Sequence, residues 1–584
     1  MKPFIFSALL LSGAVCACAQ DTAPEAIYVH GNILTGAHLR SGDASTTPAR
    51  VTALAVKGGS IVAVGSDVEV LKLKSGATKV IDLNGAYAMP GFNDAHTHIA
   101  GAGQQKLSVD LDHVPSLAAM QVKIKSAAEK AKPGAWVQGG GWDHTLWPGK
   151  TLPTRADIDA VTAGHPAFFE RTDGHIAVVN SAALAAAGIT AATKDPAGGK
   201  IDRDAAGEPT GIIREGPALT LVEKVIPKPG REERIEALKV AIADALSHGV
   251  TSVQDLSDWQ DFLALEEMER EGTLHVRVSE WLAFGTPLET LKQEQASHPT
   301  SDRMLHTTML KGFMDGSLGS RTAAMNAPYS DDPGNSGIPR YDQKTLDAMA
   351  IERAQAGFQL GFHAIGDRAN DMALSAFERA EAPYLAKLKD YVDYLKKCGP
   401  AICDPVQWMP EAPRYRIEHA QVVSSGDFER FALLHVIASM QPSHLLTDMN
   451  WAESRLGPER VKYSYAWRSF LDHGVVLAFG TDYPVESVNP FRGLYAAITR
   501  QNEAGTMTYQ PQEKISLDEA IYAYTQASAF AENAEKYKGR LEPGYLADFV
   551  VLDRDITKAT PQELLHTKVL RTVVDGGTVY NASE

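Results

Sequence analysis

Cysteine is scarce, with 4 residues in a chain of 584. That is too few for a disulfide scaffold, which packs paired cysteines densely into a small domain. Long basic runs are also missing, and 56 Lys and Arg against 72 Asp and Glu leave a net charge of −16. Nucleic acid is therefore a poor partner, because phosphate contacts need clustered cations. Beyond the first twenty residues there is no apolar run of the roughly 20 residues that span a bilayer. Internal repeats and low-complexity tracts are lacking, and 44% hydrophobic with 22% charged residues is ordinary for a folded chain. Disorder, collagen and coiled coil drop out on those grounds. The length admits about four units at roughly 150 residues each, although single α/β barrels exceed that guide.

What is present begins with a leader. Lys2 precedes the apolar stretch Ile5–Val15, which is too short to span a membrane and reads as a secretory signal. Ala17-Cys18-Ala19 is a small-x-small cleavage site leaving Gln20 as the new terminus, giving a signal over residues 1–19. Val15-Cys16-Ala17-Cys18 also resembles a lipobox, which would tether the chain through a lipid on Cys18, although Cys16 is atypical there. Either exit predicts an exported protein of the bacterial periplasm or the lipid-anchored cell envelope. In that oxidising setting Cys398 and Cys403 read as a local disulfide or as two free thiols.

Two β-rich segments lie at opposite ends. Ala53–Lys57, Gly58-Gly59 and Ile61–Val64 form a glycine-turn hairpin, and Val569–Val574 with Thr578–Tyr580 forms another. Residues 20–89 and 538–584 are thus expected to build one small composite β-sandwich. Residues 90–537 alternate apolar runs with amphipathic helices such as Glu232–Ser247, and Ser516–Glu519 reads as a capping box. Eight candidate strands end near His98, Leu256, Leu282, Gly316, Asp367, His419, Pro442 and Pro484. That number favours an α/β fold of the closed (β/α)8 TIM type over an open sheet. Residues from about 101 to 215 carry strand-like runs of their own and read as an inserted subdomain. A smaller insertion covers about 382–413.

Chemistry concentrates at strand ends. In Pro90-Gly-Phe-Asn-Asp-Ala-His96-Thr-His98 the strand period of two turns both histidines to one face, the barrel interior. Taken alone, that pair is as well explained by two unrelated histidines. His363 in Phe362–Asp367, His419 in Arg416–His419, Asp482 in Ala478–Asp482 and Lys311 in Met309–Phe313 repeat the signal on later strands. Separate accidents explain such a set poorly, and a divalent metal site explains it well. Zinc is foremost, with iron, manganese or cobalt suited to the same donors. His175, Trp142 and Asp143 in the insertion are candidates to reach over the barrel mouth, and Arg321 to meet a substrate carboxylate. For each of them a loop hydrogen bond or lid contact is an equal reading.

With these motifs stand Asp173–Asn180, Asp195–Lys200, Gly207–Gly211, Lys311–Gly319 and His363–Ala369. In them the chain resembles the amidohydrolase superfamily, and within it the amidohydrolase-3 group of YtcJ-like proteins that includes N-substituted formamide deformylases. The resemblance implies that His96, His98 and Asp482 hold a more buried metal ion and His363 and His419 a more exposed one. It implies one or two ions, bridged in the binuclear case by a carbamylated Lys311, because a protonated ammonium has no lone pair to offer.

The expected activity is hydrolysis of an amide, N-acyl or cyclic amide C–N bond in a small-molecule substrate, with Asp482 handling the proton of the attacking water. The alternatives are deamination of a heterocycle on the same scaffold and a surface binding protein without catalysis. The sequence sets no oligomeric state and admits a homodimer.

Overall fold

The computed structural model describes residues 23–39, 49–172, 175–196, 199–398 and 412–582, with the backbone alone for 394–398. The leader, Cys18, Cys403 and the side chain of Cys398 lie outside the described residues.

Eight strands form a single sheet in which every pairing is parallel. They are β1 (Phe92–Thr97), β2 (Val250–Asp255), β3 (Arg277–Ala283), β4 (Leu305–Phe313), β5 (Gln359–Ala364), β6 (Arg416–His419), β7 (Ile437–Met440) and β8 (Leu477–Phe479). These are the segments the apolar runs predict. Their spatial order follows the chain. The two edges then meet, as Asp482 N donates to His96 O at 2.8 Å and His98 N to Tyr483 O at 2.8 Å. The result is a nearly closed (β/α)8 barrel.

Strands inside such a barrel are covered on both faces, so they lack the alternation of a half-exposed sheet. β2 and β7 are buried at every position. Helices supply the outer layer. Helix Arg231–Ser247 buries Ala237, Leu238, Ala241, Ile242 and Ala245 at helical spacing. It lies so close to helix Ile99–Leu107 that a Cβ on Gly103 would sit 1.9 Å from Ala237 O. The expected Ser516–Glu519 capping box opens helix Leu517–Tyr522.

Three smaller sheets surround the barrel. One has four strands, Ser60–Gly65, Ala53–Lys57, Ala26–Val29 and Lys79–Asp82. A second has six and joins both ends of the chain, placing Phe549–Leu552 beside Tyr87–Pro90. The third, also of six, is built within the long excursion after β1 and includes Val137–Trp142, Ala167–Arg171, Ile176–Val179 and Pro209–Arg214. The later excursion begins as helix Ala382–Cys398.

At the base of the barrel, Arg277 opens β3 and is buried against the C-terminal sheet. Its guanidinium donates to Asp548 at 2.5 and 3.0 Å and to Asp575 at 3.1 Å. Nearby, buried Lys538 donates to Glu532 at 2.6 Å and to Ser252 at 2.7 Å. No helix among the described residues is long and apolar enough to cross a membrane.

Candidate metal centre

The C-terminal ends of the strands meet in a small buried volume. β1 brings in His96 and the following His98; β4 brings Lys311, β5 His363 and β6 His419; the turn after β8 brings Asp482. Gly480 lets β8 come this near to β1, since a Cβ there would lie 2.5 Å from His96 N. Asp94 ties the same seam from below, accepting from Thr481 N at 2.9 Å and Thr481 Oγ1 at 2.5 Å. His419 and Asp482 take up positive φ, 74° and 61°, as the chain turns at its strand ends.

All four histidines share one arrangement, in which one ring nitrogen is held by a protein acceptor. His96 Nδ1 donates to Glu418 at 2.7 Å, and His98 Nδ1 to Leu256 O at 2.9 Å. His363 Nε2 donates to Gly316 O at 3.0 Å, and His419 Nδ1 to Gln441 Oε1 at 2.7 Å. A neutral imidazole that donates through one nitrogen presents a lone pair on the other. An imidazole fixed in this way is the usual form of a metal-binding histidine.

The Nε2 atoms of His96 and His98 lie beside Asp482. His98 Nε2 is 3.3 Å and His96 Nε2 3.5 Å from its Oδ1. A tetrahedron of bonds about 2.0–2.1 Å long has edges of about 3.3–3.4 Å, so the spacing suits a single ion. His96, His419 and Asp482 together offer ligand atoms within 4.8 Å of one another. The donor set therefore fits a divalent cation, with imidazole and carboxylate of the kind such ions take. His363 joins through its ring, 4.5 Å from that of His419.

The electrostatics follow from burial. Burial pushes His96 down to about 4 and His363 to about 3, with the Lys311 charge adding to both. It also holds His419 well below the ordinary histidine value, with His363 adding to the effect, so these three rings are neutral near pH 7. Burial raises the carboxyl of Asp482, but His96, His98 and His419 outweigh it and keep the group ionised. Lys311, wholly enclosed, is lowered to about 8 by burial, and its Nζ lies 3.0 Å from His96 Nε2. Glu418 would be raised by burial, but Arg416 and His96 pull it well below the carboxylate range. Arg416 Nε donates to it at 2.6 Å.

An imidazole and carboxylate cluster stands at the mouth of a parallel barrel, and a match of most of the chain to one family pattern decides the family. The chain belongs to the amidohydrolase family. Residues 79–580 match the amidohydrolase family pattern. YtcJ of Bacillus subtilis (strain 168) is 32% identical, covering 96% of this chain and 100% of that protein. The N-substituted formamide deformylase of Arthrobacter pascens is 28% identical over 93% of this chain and 97% of its own. A crystal structure of an uncharacterized metal-dependent hydrolase from Pyrococcus furiosus superposes with a TM-score of 0.73 at 30% identity, covering 92% of this chain and 99% of that one.

The remaining expected residues of this amidohydrolase-family chain have partners of their own. Trp142 is fully buried in the inserted sheet, and its Nε1 donates to Phe169 O at 2.8 Å. Asp143 accepts from Arg171 at 2.7 Å and from Thr145 N at 3.0 Å. His175 is exposed, with Nδ1 2.9 Å from Glu215 Oε2. Arg321 makes a two-pronged pair with Asp331 at 3.0 and 2.9 Å. These contacts are local to the insertion or to the loop after β4.

Several residues at the centre carried no sequence signal strong enough to single them out. Asp315 accepts from Ile365 N and Gly366 N, at 3.1 and 2.8 Å, bracing the turn after His363. His444, four residues past β7, lies with Nε2 3.5 Å from Asp482 Oδ2. A search of strand ends stops at Pro442. The histidine two positions on would have emerged from asking which turns fold back over the mouth.

Proposed function

We propose that the protein is a metal-dependent hydrolase that opens a C–N bond in a small amide, N-acyl or cyclic amide compound. The observation that carries this reading is the cluster of imidazoles fixed by protein acceptors, with His96, His419 and Asp482 close enough to share an ion, at the mouth of a parallel barrel. His96, His98 and Asp482 would hold one ion, with His363 and His419 on the side of a second. A divalent ion there supplies Lewis acidity, lowering the pKa of water toward about 7 and polarising a carbonyl.

The chain's own groups do the rest. Asp482, kept ionised by the histidines, accepts the proton of the attacking water at a carboxylate oxygen and returns it to the leaving nitrogen. Glu418 holds His96 in the tautomer with Nδ1 protonated, so Nε2 stays available. The enclosure of Lys311 favours its neutral amine, the form that adds CO2 and loses a proton to become a carbamate. In that form it would bridge two ions.

The relatives give the bond type some direction, since one of them is named for removing formyl groups from N-substituted formamides. The leader-like Met1–Gln20 supports export to the periplasm or the cell envelope, with Cys18 as the tether if lipid is added.

A panel of amides, cyclic amides and heterocycles, assayed with protein of measured metal content, tests the proposal. Free amine and carboxylate as products support it. Ammonia released from heterocycles alone replaces it with deamination, and no turnover by metal-replete protein removes it. Carbon-13 bicarbonate giving a carbamate resonance that disappears in Lys311→Ala tests the bridge.

A further inference from the structure

His444 is the reverse of the four histidines around it. Each of those spends an N–H on the protein and turns a lone pair inward. In His444 the lone pair is the part that is spent, because the Gln421 amide nitrogen lies 3.1 Å from Nδ1. An amide NH2 can only donate, so Nδ1 accepts and the ring proton resides on Nε2. That nitrogen is buried without a hydrogen-bond partner, and it points at Asp482 Oδ2 from 3.5 Å. The imidazole is 7% exposed and stacked on His419, with ring centroids 6.0 Å apart and planes 12° from parallel.

The carboxylate of Asp482 is thus addressed differently at its two oxygens. Oδ1 faces Nε2 of His96 and of His98 at 3.5 and 3.3 Å. Oδ2 faces the N–H of His444. Leaving a buried donor unpaired is costly, so the pair is driven to close whenever the carboxylate turns toward it.

We propose that His444 is a positioning residue for Asp482. It holds Oδ2 by hydrogen bonding and so fixes the rotation that presents Oδ1 to His96 and His98. The inference rests on the reading of Asp482 given above. It adds a residue that neither binds the ion nor touches the bond being cut.

The test compares wild type with His444→Asn, whose amide is too short to reach, and His444→Gln, whose amide reaches. Bound-metal stoichiometry, the visible spectrum of the cobalt(II) form, and kcat and KM on the substrate found by the panel are measured. In His444→Asn stoichiometry is unchanged, KM stays within about 3-fold, kcat falls about 100-fold and the cobalt band shifts. His444→Gln recovers about 10-fold of that loss.

Metal lost in step with kcat would make His444 a ligand or a structural residue and overturn the proposal. An unchanged kcat and cobalt spectrum in His444→Asn would overturn it too. Failure of the hydrolase reading looks different, because wild type itself would then take up no metal or turn over nothing, and both proposals would fall together.

Discussion

The two ends of the barrel bury charge in opposite ways. At the base, Arg277 meets Asp548 and Asp575, and Lys538 meets Glu532, so each buried cation has its counter-ion in direct contact. At the mouth, His96 and His419 are neutral rings held by hydrogen bonds, and His96 and His98 stand beside the Asp482 carboxylate. At the base each of these cations is paired within the protein, whereas the mouth gathers a donor set that suits a bound ion. The same eight strands support both ends, so the contrast comes from which side chains stand at which end. In this fold the C-terminal face carries chemistry and the N-terminal face stability.

Substitutions that cross this division should separate activity from stability. The largest effect belongs to Asp482→Asn, which keeps the shape and removes the charge. Turnover should fall about 10⁴-fold while the thermal unfolding curve hardly moves. Near-normal turnover would take Asp482 out of the reaction. Arg277→Met is the converse change at the base. It strands Asp548 in a buried site, which costs about 3–5 kcal/mol of stability by denaturant titration. The activity per folded molecule should stay at the wild-type value, and a fall in it would show that the two ends are coupled.

Glu418→Gln should have an intermediate effect. Its amide can still meet Arg416 or His96 but can no longer hold Nδ1–H of His96 as an anion. Metal affinity is expected to drop about 10–100-fold, read by competition with a chelator. Unchanged affinity would mean that His96 is oriented by the strand alone.

The barrel and the main donors were legible because their signals are local. Parallel strands buried on both faces carry short apolar stretches, such as Leu477–Phe479, and His96 and His98 declare a shared face by a spacing of two. Lys311 stood out as a charge inside an apolar strand. His444 did not, because its relevance depends on a turn that folds back and on Gln421, a partner from the preceding βα loop. Trp142 and Asp143 show the opposite limit. Their residue types suit substrate contact, but burial and capping are set by the inserted sheet, and no periodicity revealed that Trp142 Nε1 would meet Phe169 O.

The smallest expected effect concerns Arg321, whose position after β4 suggests a contact with a substrate carboxylate. Its guanidinium lies against Asp331, which also accepts from Arg455 at 2.5 Å. Asp331 is held at about 2 chiefly by Arg321, so it remains an anion across the working range of pH. A substrate carboxylate approaching Arg321 would have to displace a group of the same charge that is already bound in two places. Arg321→Gln should therefore leave unchanged the ratio of kcat/KM between a carboxylate-bearing amide and its neutral amide analogue. A selective loss on the charged substrate would show that Asp331 yields its partner when substrate enters. The mouth would then recruit charge from its surrounding loops as well as from the strand ends.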